Sequence, residues 1–243
     1  VSVAFLTADA TLSREIRARS PMERPAAAAG ARFSRVEGWN VPNAYSEPSA
    51  EWARLTRTVG FLDRSSLGKL EIQAEPAELA RIVAQASDGL VLGPGSASRA
   101  EGTWWCPVTP GRVLVLSEAA LAAEIRARAM LAGEDAQGTV SVLDITCGLA
   151  ALALIGPAAR ELLARFCAID ARPALAPTGA FRPGSVARTP GYLLVEGQQR
   201  LLVLVGWALG EYLWQVVVDA AAALGGGPVG AEALSHLLER DDA

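Results

Sequence analysis

Apolar positions along this chain switch repeatedly between a spacing of three to four residues and a spacing of two. Trp52, Leu55 and Val59 share one face of a helix that opens at Pro48-Ser49-Ala50-Glu51. Ser49 is its expected N-cap and Gly60 its stop. The same spacing over 76–86 puts Leu79, Ile82 and Val83 inward. Residues 69–73 alternate like a half-buried strand. Residues 104–108 and 112–116 read as a strand pair around the Thr109-Pro110-Gly111 turn. Ser117 then caps a helix that runs to about Leu131, with Glu118 and Glu124 near its start to complement the helix dipole.

The second half repeats the mixture. Residues 140–145 and 149–155 are strands, and Pro157 opens a helix with Leu162, Leu163 and Phe166 on its core face. Three prolines and two glycines make 171–185 a long loop. Residues 186–188, 192–196 and 201–205 follow as strands, then a helix over 210–224 stopped by Gly225-Gly226-Gly227-Pro228, and a terminal helix over 231–240. Before all this, residues 1–31 form an extended or partly helical lead-in that Gly30 ends, and Pro42 and Pro48 keep 38–48 looped. Strand pairs separated by helices, without regular strand–helix–strand alternation, predict an α+β fold. No internal repeat is visible.

Composition narrows the function classes. The 243 residues are 51% hydrophobic and 20% charged, an ordinary globular balance, and carry a formal net charge of -4. That mild acidity argues against a nucleic-acid partner. The apolar starts and runs, 1–10 and 201–207, are too short for a membrane span or a secretory signal, so the default location is the cytoplasm. Cys106, Cys147 and Cys167 are odd in number and far apart, as in a reducing compartment, and none has metal-ligand spacing. His236 is the single histidine, so a metal site or a histidine-dependent triad would need an unusual donor set.

Several segments resemble one family. Arg19-Ser20-Pro21-Met22, Gly38-Trp39-Asn40-Val41-Pro42 and Val59-Gly60-Phe61-Leu62-Asp63-Arg64-Ser65-Ser66-Leu67-Gly68-Lys69 resemble the opening of the aminomethyltransferases. That family includes the glycine-cleavage T-protein and is related to the folate domains of sarcosine and dimethylglycine oxidases and dehydrogenases. Leu152 to Ala159, Arg188-Thr189-Pro190-Gly191-Tyr192 and Gly227-Pro228-Val229-Gly230 are similar to later family segments. The resemblance implies a folate-binding α+β fold of two intertwined lobes. The first would combine 1–63 with 137–232 and the second would be an insertion of 64–136, leaving 233–243 as a helix end and tail. It also implies a C-terminal β-barrel domain in full-length members, for which this chain has no residues. Tetrahydrofolate would then be the cofactor, in one-carbon metabolism. Leu67 stands where some members place a methionine against the pterin, and Trp105, Tyr192 and Glu196 complete the expected cofactor-binding set.

The family's chemistry-bearing positions are matched poorly. Its catalytic aspartate follows a glycine pair, whereas this chain reads Ala100-Glu101-Gly102-Thr103-Trp104-Trp105 with no aspartate, so no catalytic residue is assigned. Glu101 is the remaining carboxylate there, and its plain alternative is a solvated loop charge. Glu196 lies one residue later than the family's carboxylate, and in a strand that slip reverses side-chain direction unless a bulge restores it. Leu234, Ser235 and Leu238 stand where the family has arginine, aspartate and arginine, and leucines cannot hold an anionic folate tail. Trp104-Trp105 alternates, so one ring faces the core and the other a pocket or partner.

These features leave two main expectations. One is a tetrahydrofolate-binding, aminomethyltransferase-like protein. The other is a non-catalytic folate-fold subunit or interaction protein of a larger oxidase or transferase complex. In that case another copy or a larger partner would cover the face left by the missing barrel. An iron–sulfur assembly role would need a lysine–glycine–cysteine segment that the sequence lacks.

Overall fold

A computed structural model describes residues 17–241. Its elements in chain order are β1 (Ala18–Arg19), α1 (Glu23–Ala28), β2 (Arg32–Val36), β3 (Trp39–Ala44), α2 (Pro48–Arg57), β4 (Gly60–Asp63), β5 (Gly68–Gln73) and α3 (Pro76–Ala86). There follow β6 (Ser98–Ala100), β7 (Thr103–Thr109), β8 (Arg112–Ser117), α4 (Ala122–Gly133), β9 (Ser141–Asp144), β10 (Leu149–Ile155) and α5 (Ala159–Ala164). The chain closes with β11 (Phe181–Val186), β12 (Thr189–Gly197), β13 (Arg200–Gly206), α6 (Gly210–Ala222), β14 (Gly227–Pro228) and α7 (Ala231–Asp241). The lead-in before residue 17 lies outside the described residues.

Two sheets stack face to face between two layers of helix, as an α+β fold requires. The six-stranded sheet runs β11-β12-β13-β10-β4-β14 and the five-stranded sheet runs β6-β7-β8-β5-β9. Strand alternation assigns each face. Leu152, Leu154, Val203 and Val205 point to α1, α5 and α6, whose Met22, Leu162, Leu163, Leu213 and Val217 complete that core. The opposite face, through Ala151, Ala153, Leu202 and Leu204, meets Cys106, Leu114 and Leu116 of the five-stranded sheet. That sheet's outer face packs Leu70, Ile72, Trp105, Val113 and Val115 on Leu79, Ile82 and Val83 of α3 and Ile125 and Ala129 of α4. Trp214 of α6 sits edge-on to Phe61 of β4, with centroids 5.1 Å apart at 80°. Such a pair adds about 1 kcal/mol beyond its buried area.

Strand pairing sets the extent of each sheet. β9 pairs with β5, so the second sheet extends to Asp144, past residue 136. No closed barrel is present among the described residues.

Several local expectations change. The stretch Trp39–Ala44 is a strand, and β3 forms a hairpin with β2 through Glu37-Gly38, both at positive φ. Pro42 is tolerated because β1 pairs only with Trp39 and Asn40, so no ladder bond is lost at Pro42. Pro183 and Gly184 likewise sit in β11, the edge strand, within the stretch read as loop. Helix α2 starts at Pro48 after Glu47, so Ser49 is already inside the helix and caps nothing. Ser117 ends β8 opposite Gly68, and α4 begins only at Ala122 after a short 3-10 turn. Arg188 belongs to a turn with Ala187 rather than to a strand.

Candidate functional site

The two sheets part at one end of their shared core and leave a polar cleft. Leu67 and Arg64 reach it from the β4–β5 crossover, Arg99 from β6, and Trp104 from β7. Leu116 and Glu118 line it from the end of β8, Glu196, Arg200 and Leu202 from β12 and β13, and Leu234 from α7. Its volume is about 50 Å³. Cofactor-sized sites usually enclose roughly 300–1,000 Å³, so the cleft as it stands is several-fold smaller than such a site.

Glu196 is the carboxylate that faces inward. Tyr192, Leu194 and Glu196 share the inter-sheet face of β12, and the register shifts between Val195 and Gly197 as the strand turns into β13. The glutamate side chain is 15% exposed, and Arg200 Nε lies 3.8 Å from Oε2. Burial pushes its carboxyl above the ordinary value, while Arg64 and Arg200 pull it back down. Arg64, which follows β4, is itself engaged by Glu118, which follows β8. Arg99 lies over the Trp104 ring, 5.9 Å from its centroid. Cys106, in the core nearby, has its thiol pushed far up by burial and by Glu196, so it stays protonated and unreactive.

The other expected residues separate. Leu67 is buried and lines the cleft. Tyr192 stacks on Phe181 at 5.4 Å and 12°, on the cleft's face of the sheet but outside its lining. Trp105 points the other way, into the core beneath α3 and α4, and Trp104 is the ring at the cleft. The pairing of Trp104 with Leu116 and of Trp105 with Val115 fixes that choice, which alternation alone leaves open. Glu101 forms a two-residue hairpin turn with Gly102, both at positive φ, and pairs with Arg128 of α4. Its geometry is that of a turn charge. Leu234 lines the cleft wall, and the Leu238 side chain lies outside the described residues.

A buried charged pair at the lobe crossover escaped the sequence reading. Lys69 is 1% exposed, and its ammonium donates to the carbonyls of Ser65, Leu67 and Thr146 at 2.8, 2.9 and 3.2 Å. Burial lowers its pKa to about 8, against the pull of Asp63. Asp63 Oδ1 accepts the Ser65 N–H at 2.9 Å. Its Oδ2 is buried without a hydrogen bond of normal geometry, although the Ser20 hydroxyl acts to lower the pKa that burial raises. The ammonium is committed to two carbonyls of the β4–β5 turn and to that of Thr146 after β9, which makes Lys69 a structural clamp behind Leu67. The signal was present in the sequence as Asp63 at the end of one apolar strand and Lys69 near the start of the next.

Among the described residues no cluster of histidine, cysteine, aspartate and glutamate could hold a metal ion.

No family model matches the chain. Two curated proteins named aminomethyltransferase, from Parafrankia sp. and Frankia alni, are each 30% identical over an alignment of 237 positions that covers 87% of this chain and 60% of the relative. The chain therefore spans about 60% of the length of these relatives. Among solved structures, a chain of the heterotetrameric sarcosine oxidase from Corynebacterium sp. matches with a TM-score of 0.66 at 23% identity. That match covers 85% of this chain and 96% of the other. The glycine cleavage system aminomethyltransferase T from Bartonella henselae matches with a TM-score of 0.70 at 18% identity, covering 89% of this chain and 60% of the other. The chain is thus related at the family level to the aminomethyltransferases, and its mixed α+β architecture resembles their folate-binding fold.

Proposed function

We propose that this chain is an aminomethyltransferase-like protein that has the folate-binding scaffold without the transfer chemistry. It acts as a non-catalytic subunit or interaction protein of a larger oxidase or transferase assembly in cytoplasmic one-carbon metabolism. The observation that carries this reading is the cleft, reduced to about 50 Å³ by Trp104, Leu234 and the Arg64–Glu118 pair. A pterin cannot enter without displacing them. No aspartate stands at the cleft, and Glu101 is turned outward to Arg128. The near-complete span of a chain from a multi-subunit sarcosine oxidase supports the subunit role.

A second reading rests on Glu196. Its buried carboxylate on the inter-sheet face could accept pterin N–H donors if the cleft opened, with Leu67 and Tyr192 beside it. In that case the chain binds tetrahydrofolate without catalysing transfer.

The test of lost chemistry is a turnover assay with tetrahydrofolate and an aminomethylated lipoyl carrier protein. The expected result is ammonia release at the protein-free rate. Release that is linear in protein concentration and dependent on tetrahydrofolate overturns the proposal.

A further inference from the structure

We propose that the inter-sheet cleft is a binding site for a small monocarboxylate of one or two carbons, held between Arg99 and Arg200 against the face of Trp104. This rests on the reading above that the cleft is too small for a pterin. Three observations lead here.

The first is size. About 50 Å³ exceeds the share of one water but falls several-fold below a cofactor site. The second is charge. Three guanidiniums, Arg64, Arg99 and Arg200, face two carboxylates, Glu118 and Glu196, so the lining carries one excess positive charge. One monoanion neutralises it, whereas a dianion would reverse the sign.

The third is donor supply. Arg64 is committed to Glu118. Arg200 stands 3.8 Å from Glu196, beyond hydrogen-bond range, so its N–H groups remain available. Arg99 lies over the Trp104 ring, and its ordered contact there is with the π face, which leaves its N–H edge available. Guanidinium forks match the two oxygens of a carboxylate. The site draws on both sheets, Arg99 from β6 and Arg200 from β13. A bound carboxylate would therefore tie the two sheets together beside the Arg64–Glu118 pair.

The test is calorimetric titration of the full chain with sodium formate and sodium acetate, against sodium chloride at equal ionic strength. Inorganic phosphate and 5-formyltetrahydrofolate serve as comparison ligands. Formate and acetate are expected to bind saturably, and phosphate more weakly. Arg99→Gln and Arg200→Gln should each weaken binding about tenfold or more, as expected for loss of a charged hydrogen bond. Arg99 is exposed, so its variant is expected to keep the wild-type unfolding midpoint. Silence from both carboxylates with folate also silent overturns this inference alone. So does phosphate binding more tightly than formate, or variants that bind like the wild type. Tight folate binding overturns the closed-cleft reading and this inference with it.

Discussion

Glu51 gives the sharpest test of how the cleft wall is held in place. Its side chain lies buried where β3, α2 and the approach to α7 meet. Oε1 accepts the N–H groups of Tyr45 at 2.6 Å and Ser46 at 2.7 Å, and Oε2 accepts the Gly230 N–H at 2.7 Å. Gly230 is packed so closely that a Cβ there would lie 1.9 Å from the Asn43 carbonyl oxygen. Helix α7, which carries Leu234 into the cleft, is therefore docked backbone to backbone and anchored by one carboxylate. Glu51→Gln keeps an oxygen for Tyr45 and Ser46 but turns an amide donor toward the Gly230 N–H. One charge-assisted bond is lost, a buried donor is left without an acceptor, and the other two bonds lose their ionic character. Hydrogen bonds to charged groups are worth about 1.5–3 kcal/mol and an unsatisfied buried donor costs about 1–3 kcal/mol. Allowing for partial relaxation, the expected destabilisation is about 2–4 kcal/mol. Guanidinium unfolding monitored by tryptophan fluorescence should show a lower midpoint at unchanged slope. Hydrogen exchange should show a faster Gly230 amide. A loss below about 1 kcal/mol, or unchanged protection of that amide, would refute the anchoring role.

Three further outcomes follow from the same structure. Leu234→Arg places a guanidinium in a wall that already holds Arg64, Arg99 and Arg200, with Glu118 already paired to Arg64. It should destabilise by about 3 kcal/mol or more, and a variant that matches wild-type stability while gaining folate affinity contradicts the closed cleft. Lys69 has its pKa lowered from 10.5 to about 8 by burial. Between those values the unfolded chain holds a proton that the native state has released, so stability rises with pH, by up to about 3 kcal/mol. Unfolding free energies of wild type and Lys69→Met from pH 7.5 to 10 check this, and a wild-type curve that fails to rise relative to the variant counts against it. Arg188 sits at φ 63° beside Ala187 at 49° in the β11–β12 turn. Removing left-handed strain at that non-glycine position should make Arg188→Gly more stable by about 0.5–1 kcal/mol, and a lower thermal midpoint would argue otherwise.

The fold was legible wherever local pattern and tertiary role agree. Helix α3 matches its expected span because Pro76 sets its first turn and its apolar face packs as the spacing implies. The β7–β8 pair follows from its turn chemistry. Strands β3 and β11 were hidden because Pro42 and Pro183 read as breakers, and only the sheet order reveals that both occupy positions with no ladder bond to lose. At the site, Leu67 and Glu196 do reach one cleft. Trp105 does not, because alternation gives two faces and the hairpin register chooses between them. The arginines of the cleft are far apart in sequence and each reads as a solvated charge, so their convergence is a product of the lobe crossover. Glu51 was equally hidden, since its three partners are backbone groups of residues 45, 46 and 230.

The central claim is that this scaffold's central cleft is occupied by the protein's own side chains. Calorimetric titration with 5-formyltetrahydrofolate tests it most directly. The account predicts no saturable heat up to millimolar ligand, in wild type and in Glu196→Gln alike. A micromolar dissociation constant that Glu196→Gln weakens would contradict it, and would show that the cleft opens to a pterin.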